Sequence, residues 1–277
     1  MSETAATRSG GRAGRNLPAA TAVGIGLLVL VAVSLFYLPL LFVAIATFAS
    51  FMAVREMSTA LKQRERRVVN EVAFPAAIAL PPIAYFFGTD YSLAALALCV
   101  VAAAWVRLRR DFMGYFNDFA STVLVIAYVP LLIGFGTAMS HGDLGAERVI
   151  TMIMLTAGND TGGYFAGIFF GKHPMAPTIS PKKSWEGMAG SLAAQALLGA
   201  FVAPLLLPIA AWQGLLLGLV MSVTATIGDL AESAIKRDLG LKDMSQAIPG
   251  HGGFMDRLDS LLINGVVAWV AFQWIGI

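Results

Sequence analysis

The 277-residue sequence has few charged side chains and a single cysteine. Asp, Glu, Lys and Arg make up 13% of it, against roughly 25% in an ordinary soluble domain. Residues of the AVILMFWYC set account for 57%, more apolar material than a soluble chain of this length can bury. Cys99 has no partner for an internal disulfide, and a net charge of +2 is too small to indicate a nucleic-acid binder.

The apolar residues are concentrated in runs that are long enough to cross a bilayer, which takes about 20 residues of helix. The predicted spans are 19–36, 39–54, 72–87, 92–106, 118–138, 149–170, 188–207, 212–228 and 260–276. The first two are separated at Pro39, because proline disfavours helix at the residue before it. We therefore predict an all-α fold, a polytopic transmembrane helix bundle of about nine spans.

The positions of Lys and Arg predict the orientation, because cytoplasmic loops carry an excess of these residues. With the amino terminus in the cytoplasm, all but one of the 19 basic residues fall on the inner side, and the exception is Arg148. Residues 1–17 are predicted to be a disordered basic tail. Amino-terminal transmembrane helices follow over 18–148, and a carboxyl-terminal transmembrane part over 149–277 contains cytoplasmic loops 171–187 and 229–259.

The loop 229–259 combines carboxylates with basic residues and glycines. Its acidic residues are Asp229, Glu232, Asp238, Asp243, Asp256 and Asp259, and its basic residues are Lys236, Arg237, Lys242 and Arg257. Clustered carboxylates suit magnesium, which binds through one or two carboxylates and substrate phosphates. Interleaved cations would share the charge of a polyphosphate. The alternative is a solvated juxtamembrane segment whose ion pairs neutralise one another; His251 alone does not indicate a zinc site.

The loop 171–187 is the second polar segment. Ser180-Pro181 predicts a turn, after which Lys182 and Lys183 would stand at the start of a helix, where unpaired amide groups favour an anion. Trp185 would stack on a base or anchor the helix at the membrane surface. Glu186 would be a metal ligand or a favourable charge near a helix amino terminus.

Asn159 and Asp160 lie inside an apolar run, where a carboxylate is costly and is by default a candidate functional residue. They leave open an alternative function, a membrane transporter of an anionic substrate with a mid-membrane site at this pair. Small residues also recur at four-residue spacing, at Gly163, Gly167 and Gly171. This spacing predicts close helix packing inside the bundle, with a homodimer seam as the alternative.

From Ser233 to Asp259 the sequence resembles the signature of the phosphatidate cytidylyltransferases, also called CDP-diacylglycerol synthases. The matching residues are Ser233-x-Ile235-Lys236-Arg237, Lys242-Asp243-x-Ser245 and Ile248-Pro249-x-His251-Gly252-Gly253-Phe254-x-Asp256-Arg257-Leu258-Asp259. The stretch from Asp160 to Gly187 is similar too, most clearly over Gly171-Lys172-His173 and Ile179-Ser180-Pro181-Lys182-Lys183-Ser184-Trp185-Glu186-Gly187. It departs from the family's usual residues at Gly163, Ile168, Pro174 and Thr178.

The resemblance implies transfer of the cytidylyl group of CTP to phosphatidic acid, which gives CDP-diacylglycerol and pyrophosphate in phospholipid biosynthesis. It implies one or two Mg²⁺ ions, with a monovalent cation left open, and a multi-pass protein of the cell membrane that meets CTP and inner-leaflet phosphatidic acid at its cytoplasmic face. The expected metal ligands are Asp229, Asp243, Asp256 and Asp259. The expected catalytic cations are Lys236, Arg237, Lys242 and Arg257. The expected substrate-binding residues are Asp160, Ser180, Lys182, Lys183, Trp185, Glu186, Ser233, His251, Gly252 and Gly253.

Overall fold

The computed structural model describes residues 17–110, 112–248 and 252–277, and most of these residues are helical. The helices are α1 (Leu17–Tyr37), α2 (Pro39–Lys62), α3 (Asn70–Phe87), α4 (Thr89–Leu108), α5 (Tyr115–Ile126), α6 (Leu132–Met139), α7 (Gly145–Phe170), α8 (Trp185–Leu197), α9 (Ala203–Leu206), α10 (Ala211–Asp238) and α11 (Met255–Ile275). Short π-helical segments, Ala127–Leu131 and Leu198–Val202, join α5 to α6 and α8 to α9.

The helices form a membrane-type bundle with apolar side chains on much of its outer surface. Within the described part of the chain, six helical segments are long and apolar enough to cross a bilayer. They are Pro39–Lys62, Thr89–Leu108, Tyr115–Met139, Trp185–Leu206, Ala211–Asp238 and Met255–Ile275. The remaining predicted spans coincide with α1, α3 and α7, which do not meet the same criterion over their described residues.

Of the two polar segments that were predicted as long loops, 229–259 is helical at both of its ends. Helix α10 continues to Asp238 and α11 begins at Met255, so the connecting segment is much shorter than 229–259. The helix continues past the apolar run because its polar side chains bond within it: Lys236 pairs with Glu232, and the Ser233 hydroxyl donates to Asp229 at 3.2 Å. Such contacts between residues four apart stabilise a helix end that leaves the bilayer.

The other polar segment contains a hairpin that the all-α prediction did not include. Strands β1 (Pro174–Ala176) and β2 (Ser180–Ser184) pair antiparallel, and the turn precedes Ser180. The predicted turn at Ser180-Pro181 is therefore wrong. Proline lacks an amide hydrogen, but a two-stranded hairpin has only edge strands, where proline is tolerated.

The small residues bring helices of one chain into contact. A Cβ atom placed on Gly162 of α7 would lie 2.6 Å from the Ala194 Cβ and 2.8 Å from the Gly190 carbonyl oxygen, both on α8. A Cβ on Gly163 would lie 2.6 Å from the Ser191 hydroxyl. Gly163, a member of the predicted series, thus serves packing inside the bundle, and its neighbour Gly162 allows the same close approach.

Side-chain contacts hold the polar connecting segments together at one end of the bundle, here called the polar end. After α2, Arg66 pairs with Asp238 of α10 at 3.2 Å, and Arg64 donates to the Leu239 carbonyl oxygen at 3.2 Å. Arg237 donates to the Ile179 carbonyl oxygen of the hairpin at 3.2 Å. The loops that carry the signature and the hairpin therefore lie side by side.

Arg148, the one basic residue assigned to the outer side, lies at the start of α7. It donates to the carbonyl oxygen of His141, beyond the end of α6, at 3.2 Å. The His141 ring contacts Tyr85 near the end of α3, with centroids 5.1 Å apart. These helix ends are opposite to the polar end, so Arg148 is separated along the bundle from the basic residues that the structure describes at the polar end.

Candidate active site

An open cleft of about 360 Å³ lies between α7, the hairpin, α8 and α10. Four charged residues line it, Asp160 on α7, Lys182 and Lys183 on β2, and Asp229 on α10. The other lining residues are Asn159, Gly163, Tyr164, Met175, Ser180, Ser184, Gly187, Met188, Ser191 and Thr226. The cleft therefore combines carboxylates and cations within reach of a single small ligand.

The hairpin places its lysines in the cleft. Lys183 forms an ion pair with Asp229, and both side chains are about one quarter exposed to solvent. Lys182 is exposed, and no ion pair holds it within the described residues. Ser184 begins α8 as its cap, since its hydroxyl accepts a hydrogen bond from the Gly187 amide at 3.1 Å. One lysine is thus held by a carboxylate while the other remains available to an anion.

The two residues of the polar pair inside α7 differ in role. Asn159 is buried and bonded to neighbouring helices: its side-chain oxygen accepts from the Ser222 hydroxyl at 2.8 Å, and its carbonyl oxygen accepts from the Ser191 hydroxyl at 2.7 Å. Asp160 instead lines the cleft, where the charges of Asp229, Lys183 and Arg257 act on it. Of the two cleft-lining residues, Asp160 is the exposed one and Asn159 is buried.

Asp160, Asp229 and Asp259 form an array of like charges whose members act on one another electrostatically. Within the described residues, no three Asp, Glu, His or Cys side chains are close enough to form a metal cage. Magnesium seldom uses such a cage, because it is usually bound through one or two carboxylates together with substrate phosphates. Two carboxylates in an open cleft fit this kind of shared ion.

Asp256, which was expected among the metal ligands, is turned toward the protein. Its carboxylate accepts hydrogen bonds from the Met244 amide at 3.0 Å, the Gly253 amide at 2.8 Å and the Lys236 ammonium group at 2.8 Å. Lys236 also pairs with Glu232, whose side chain is completely buried. These donors take up most of the acceptor sites of one carboxylate. Asp256 and Lys236 therefore hold the segment between α10 and α11, here called the signature loop, and neither lines the cleft.

Glu56 of α2 holds the same loop, and no motif of the sequence indicated it. Its buried carboxylate accepts from the Ser245 hydroxyl at 2.6 Å, the Phe254 amide at 3.0 Å and the Met255 amide at 2.9 Å. It therefore fixes the loop and caps α11 from the amino-terminal half. The sequence does carry a signal, since Glu56 lies on the helix face of Ala53 and Ala60, both buried.

The other expected residues are distributed around the polar end. Lys242, Asp243 and Trp185 are exposed. Glu186 accepts hydrogen bonds from the Lys172 and His173 amides at 3.1 and 3.2 Å, which ties the chain after α7 to the start of α8. Gly252 has a φ of +83°, a conformation that favours glycine. A Cβ on Gly253 would lie 2.5 Å from a Glu56 carboxylate oxygen, and His251 lies outside the described residues.

Comparison with known proteins gives a match to the family model described as the cytidylyltransferase family, over residues 18–275. A phosphatidate cytidylyltransferase of Mycobacterium bovis is 38% identical over 273 residues, which cover 94% of this chain and 89% of that protein. A phosphatidate cytidylyltransferase of Mycobacterium leprae is 36% identical, with coverages of 95% and 89%. A phosphatidate cytidylyltransferase of Staphylococcus saprophyticus is 33% identical, with coverages of 67% and 71%.

Proposed function

The chain belongs to the cytidylyltransferase family, and we propose that the cleft between α7, the hairpin, α8 and α10 is its active site. The reaction is the transfer of the cytidylyl group of CTP to phosphatidate, which gives CDP-diacylglycerol and pyrophosphate. The observation that carries the proposal for the site is the Lys183–Asp229 ion pair in an open cleft at the polar end. Asp160 lines the same cleft, as does Lys182, which has no ion pair among the described residues.

We propose direct, in-line transfer. A phosphatidate oxygen attacks the α-phosphorus of CTP, the new phosphorus–oxygen bond forms, and the bond to the departing pyrophosphate breaks. Phosphatidate is already anionic, so no strong general base is needed. Lys182 and Lys183 bind the triphosphate and stabilise the charge on the phosphoryl oxygens and on pyrophosphate, where positioned cations contribute most of the rate in phosphoryl transfer.

We propose that magnesium is required, held by Asp160 and Asp229 together with the phosphates of CTP, with Asp259 adjacent. When bound, the ion neutralises phosphate charge. The support is the donor set, two cleft carboxylates with a third whose charge acts on both. Asp160 thereby joins the expected ligands Asp229 and Asp259, whereas Asp256 positions the signature loop.

We propose further that the polar end faces the cytoplasm of the cell membrane and that the chain spans the bilayer about nine times. The excess of Lys and Arg at this end supports the orientation, as does CTP, a cytoplasmic substrate. Phosphatidate would then arrive from the inner leaflet, directly beside the cleft. The exposure of Lys242 suits it to contact the triphosphate at the cleft margin.

The test is the reaction itself. Purified protein in detergent, given CTP and phosphatidate, is expected to release pyrophosphate and form CDP-diacylglycerol, and chelation of magnesium is expected to abolish both products. Other nucleoside triphosphates should not replace CTP. Failure to form CDP-diacylglycerol under any metal condition would contradict the function, and full activity under chelation would contradict the metal requirement alone.

The role of Asp229 is tested by Asp229→Asn, which removes its charge and its ion pair with Lys183. We expect turnover to fall by about 10²–10³-fold, the loss typical of removing one electrostatic group from an active site. The matched control is Asp238→Asn on the same helix, whose exposed pair with Arg66 contributes little. Wild-type turnover in Asp229→Asn would refute the assignment.

A further inference from the structure

A second cavity, of about 490 Å³, has a different chemistry from the cleft. Its walls come from α1, α2, α6, α7 and α11, and they are apolar almost throughout. Ala247 and Ile248 of the signature loop contribute to it from the polar end. The Thr137 hydroxyl is directed away, since it donates to the Pro81 carbonyl oxygen at 2.7 Å. Such a lining suits a hydrocarbon chain.

Arg257 is the one charged residue among the described residues that line the cavity. It lies on α11 where that helix packs beside the cleft, since a Cβ atom on Gly228, next to Asp229, would lie 2.8 Å from the Asp259 carbonyl oxygen. Its charge also acts on Asp160, which lines the cleft. Its side chain is exposed, and within the described part of the chain its guanidinium group has no hydrogen bond or ion pair. A cation between an apolar cavity and a phosphate-binding cleft matches a molecule with a phosphate joined to a hydrocarbon chain.

We propose that the cavity receives an acyl chain of phosphatidate while Arg257 binds the lipid phosphate and directs it toward the cleft. This assignment rests on the proposed function, and it gives Arg257 to the lipid, whereas the sequence resemblance gave it to the triphosphate. The cavity then acts as a guide: with one chain seated between α2, α6 and α11, the headgroup oxygen is held where it can reach the α-phosphorus of CTP.

The cavity would help the reaction by positioning the lipid phosphate, and not by a favourable free energy of transferring the acyl chain out of the bilayer. Surrounding lipid tails are as apolar as the cavity lining, so moving an acyl chain from bilayer to cavity gains little by the hydrophobic effect. Placement of the reacting atoms does matter, because a displacement of about 1 Å can reduce the rate by on the order of 100-fold. Filling the cavity should therefore affect long-chain phosphatidate and spare a substrate whose chains are too short to use it.

The experiment uses Gly136→Leu, because Gly136 lines the cavity and a Cβ atom there meets nothing within 4 Å. Ala46→Leu on α2 is a second filling variant. Ala44→Leu is the matched control, since Ala44 lies on the same helix but lines a separate apolar pocket. Each full-length variant is assayed with CTP and either dioleoyl or dibutanoyl phosphatidate.

We expect both filling variants to lose about 10–100-fold in kcat/KM for dioleoyl phosphatidate, with dibutanoyl phosphatidate and the KM for CTP unchanged and the control like wild type. Equal losses on both lipids, or wild-type kinetics on both, would overturn the cavity assignment. If wild-type protein converts neither lipid, the proposed function fails instead, so the two failures are distinguishable.

A binding measurement without turnover completes the test. Phosphatidate with a photoreactive group at the end of one acyl chain should label cavity residues such as Met152 in wild-type protein, and Gly136→Leu should abolish that labelling. Excess phosphatidate should compete better than excess diacylglycerol, which lacks the phosphate for Arg257. Labelling confined to the outer helix faces, or equal competition by the two lipids, would contradict the proposal.

Discussion

Two carboxylates hold the signature loop in its conformation. Asp256 accepts the Met244 and Gly253 amides, and Glu56 accepts the Phe254 and Met255 amides together with the Ser245 hydroxyl. Hydrogen bonds to an ionised carboxylate are stronger than those between neutral groups. A loop rich in glycine needs such anchors, because glycine alone imposes no single conformation.

Glu56→Gln tests this anchoring at the residue scale. The amide keeps the size of the side chain but replaces one acceptor oxygen with a donor, so at least one loop contact is lost. We expect the free energy of unfolding to fall by about 1–3 kcal/mol and the KM for CTP to rise, measured by thermal unfolding in detergent and by the pyrophosphate assay.

The control for this variant is Glu71→Gln, whose partner Arg110 is exposed and whose loss should change little. If Glu56→Gln melts and turns over like Glu71→Gln, the carboxylate of Glu56 does not organise the loop.

At the scale of elements, the contact between α7 and α8 determines the width of the cleft. Asp160 is on α7, and Ser184 and Gly187 are at the start of α8. Both helices approach closely where Gly162 meets Ala194 and Gly190. The close helix contact and the width of the proposed active site therefore depend on the same small residues.

Gly162→Val should separate these helices, since its Cβ atom would already lie 2.6 Å from another side chain. Overpacking of this kind costs about 1–3 kcal/mol, and we expect turnover to be lost in protein that still reaches the membrane. Gly26→Val serves as the control, because a Cβ on Gly26 meets nothing within 4 Å. Equal activity of the two variants would show that the helix spacing has no part in the reaction.

At the scale of the whole molecule, polar contacts join distant parts of the sequence at one end of the bundle. Arg107 and Asp118 form a buried ion pair at 2.9 Å, and Asp118 also accepts the Arg67 amide at 2.8 Å. Losing one partner of a buried pair typically costs about 3–5 kcal/mol. The amino-terminal helices therefore stabilise the end of the bundle that carries the cleft, and through Glu56 they reach the signature loop.

The orientation in the membrane is tested by single-cysteine labelling after Cys99→Ala. In intact cells, a membrane-impermeant maleimide should label Asp143→Cys, near Arg148, and should not label Gln246→Cys in the signature loop until the cells are opened. Both positions are exposed, so accessibility depends on the side of the membrane. The reverse pattern would place the cleft outside and exclude cytoplasmic CTP as its substrate.

The apolar runs alone predicted the helical bundle, and the helices coincide with them because backbone groups in a bilayer must be paired within the helix. The predicted ends of the helices were less accurate. The apolar runs end at the membrane surface, whereas α10 and α11 extend beyond it, where ion pairs and capping hydrogen bonds stabilise them. The hairpin was not predicted, because Ser180-Pro181 by itself favours a turn. These residues form part of β2 only because β1 pairs with them.

The sequence by itself determined the class of protein, the family signature and the residue types of the site, because hydropathy, charge asymmetry and motif spacing are properties of the linear chain. Only the tertiary structure decided which acidic residues face the cleft and which hold the loop. The sequence does not distinguish an acidic residue whose carboxylate accepts backbone amides from one whose carboxylate is exposed to solvent. The two environments are created when α2, α7, α10 and α11 pack together. The separation of Asp229 from Asp256, the contribution of Glu56 and the cavity beside Arg257 all follow from this packing.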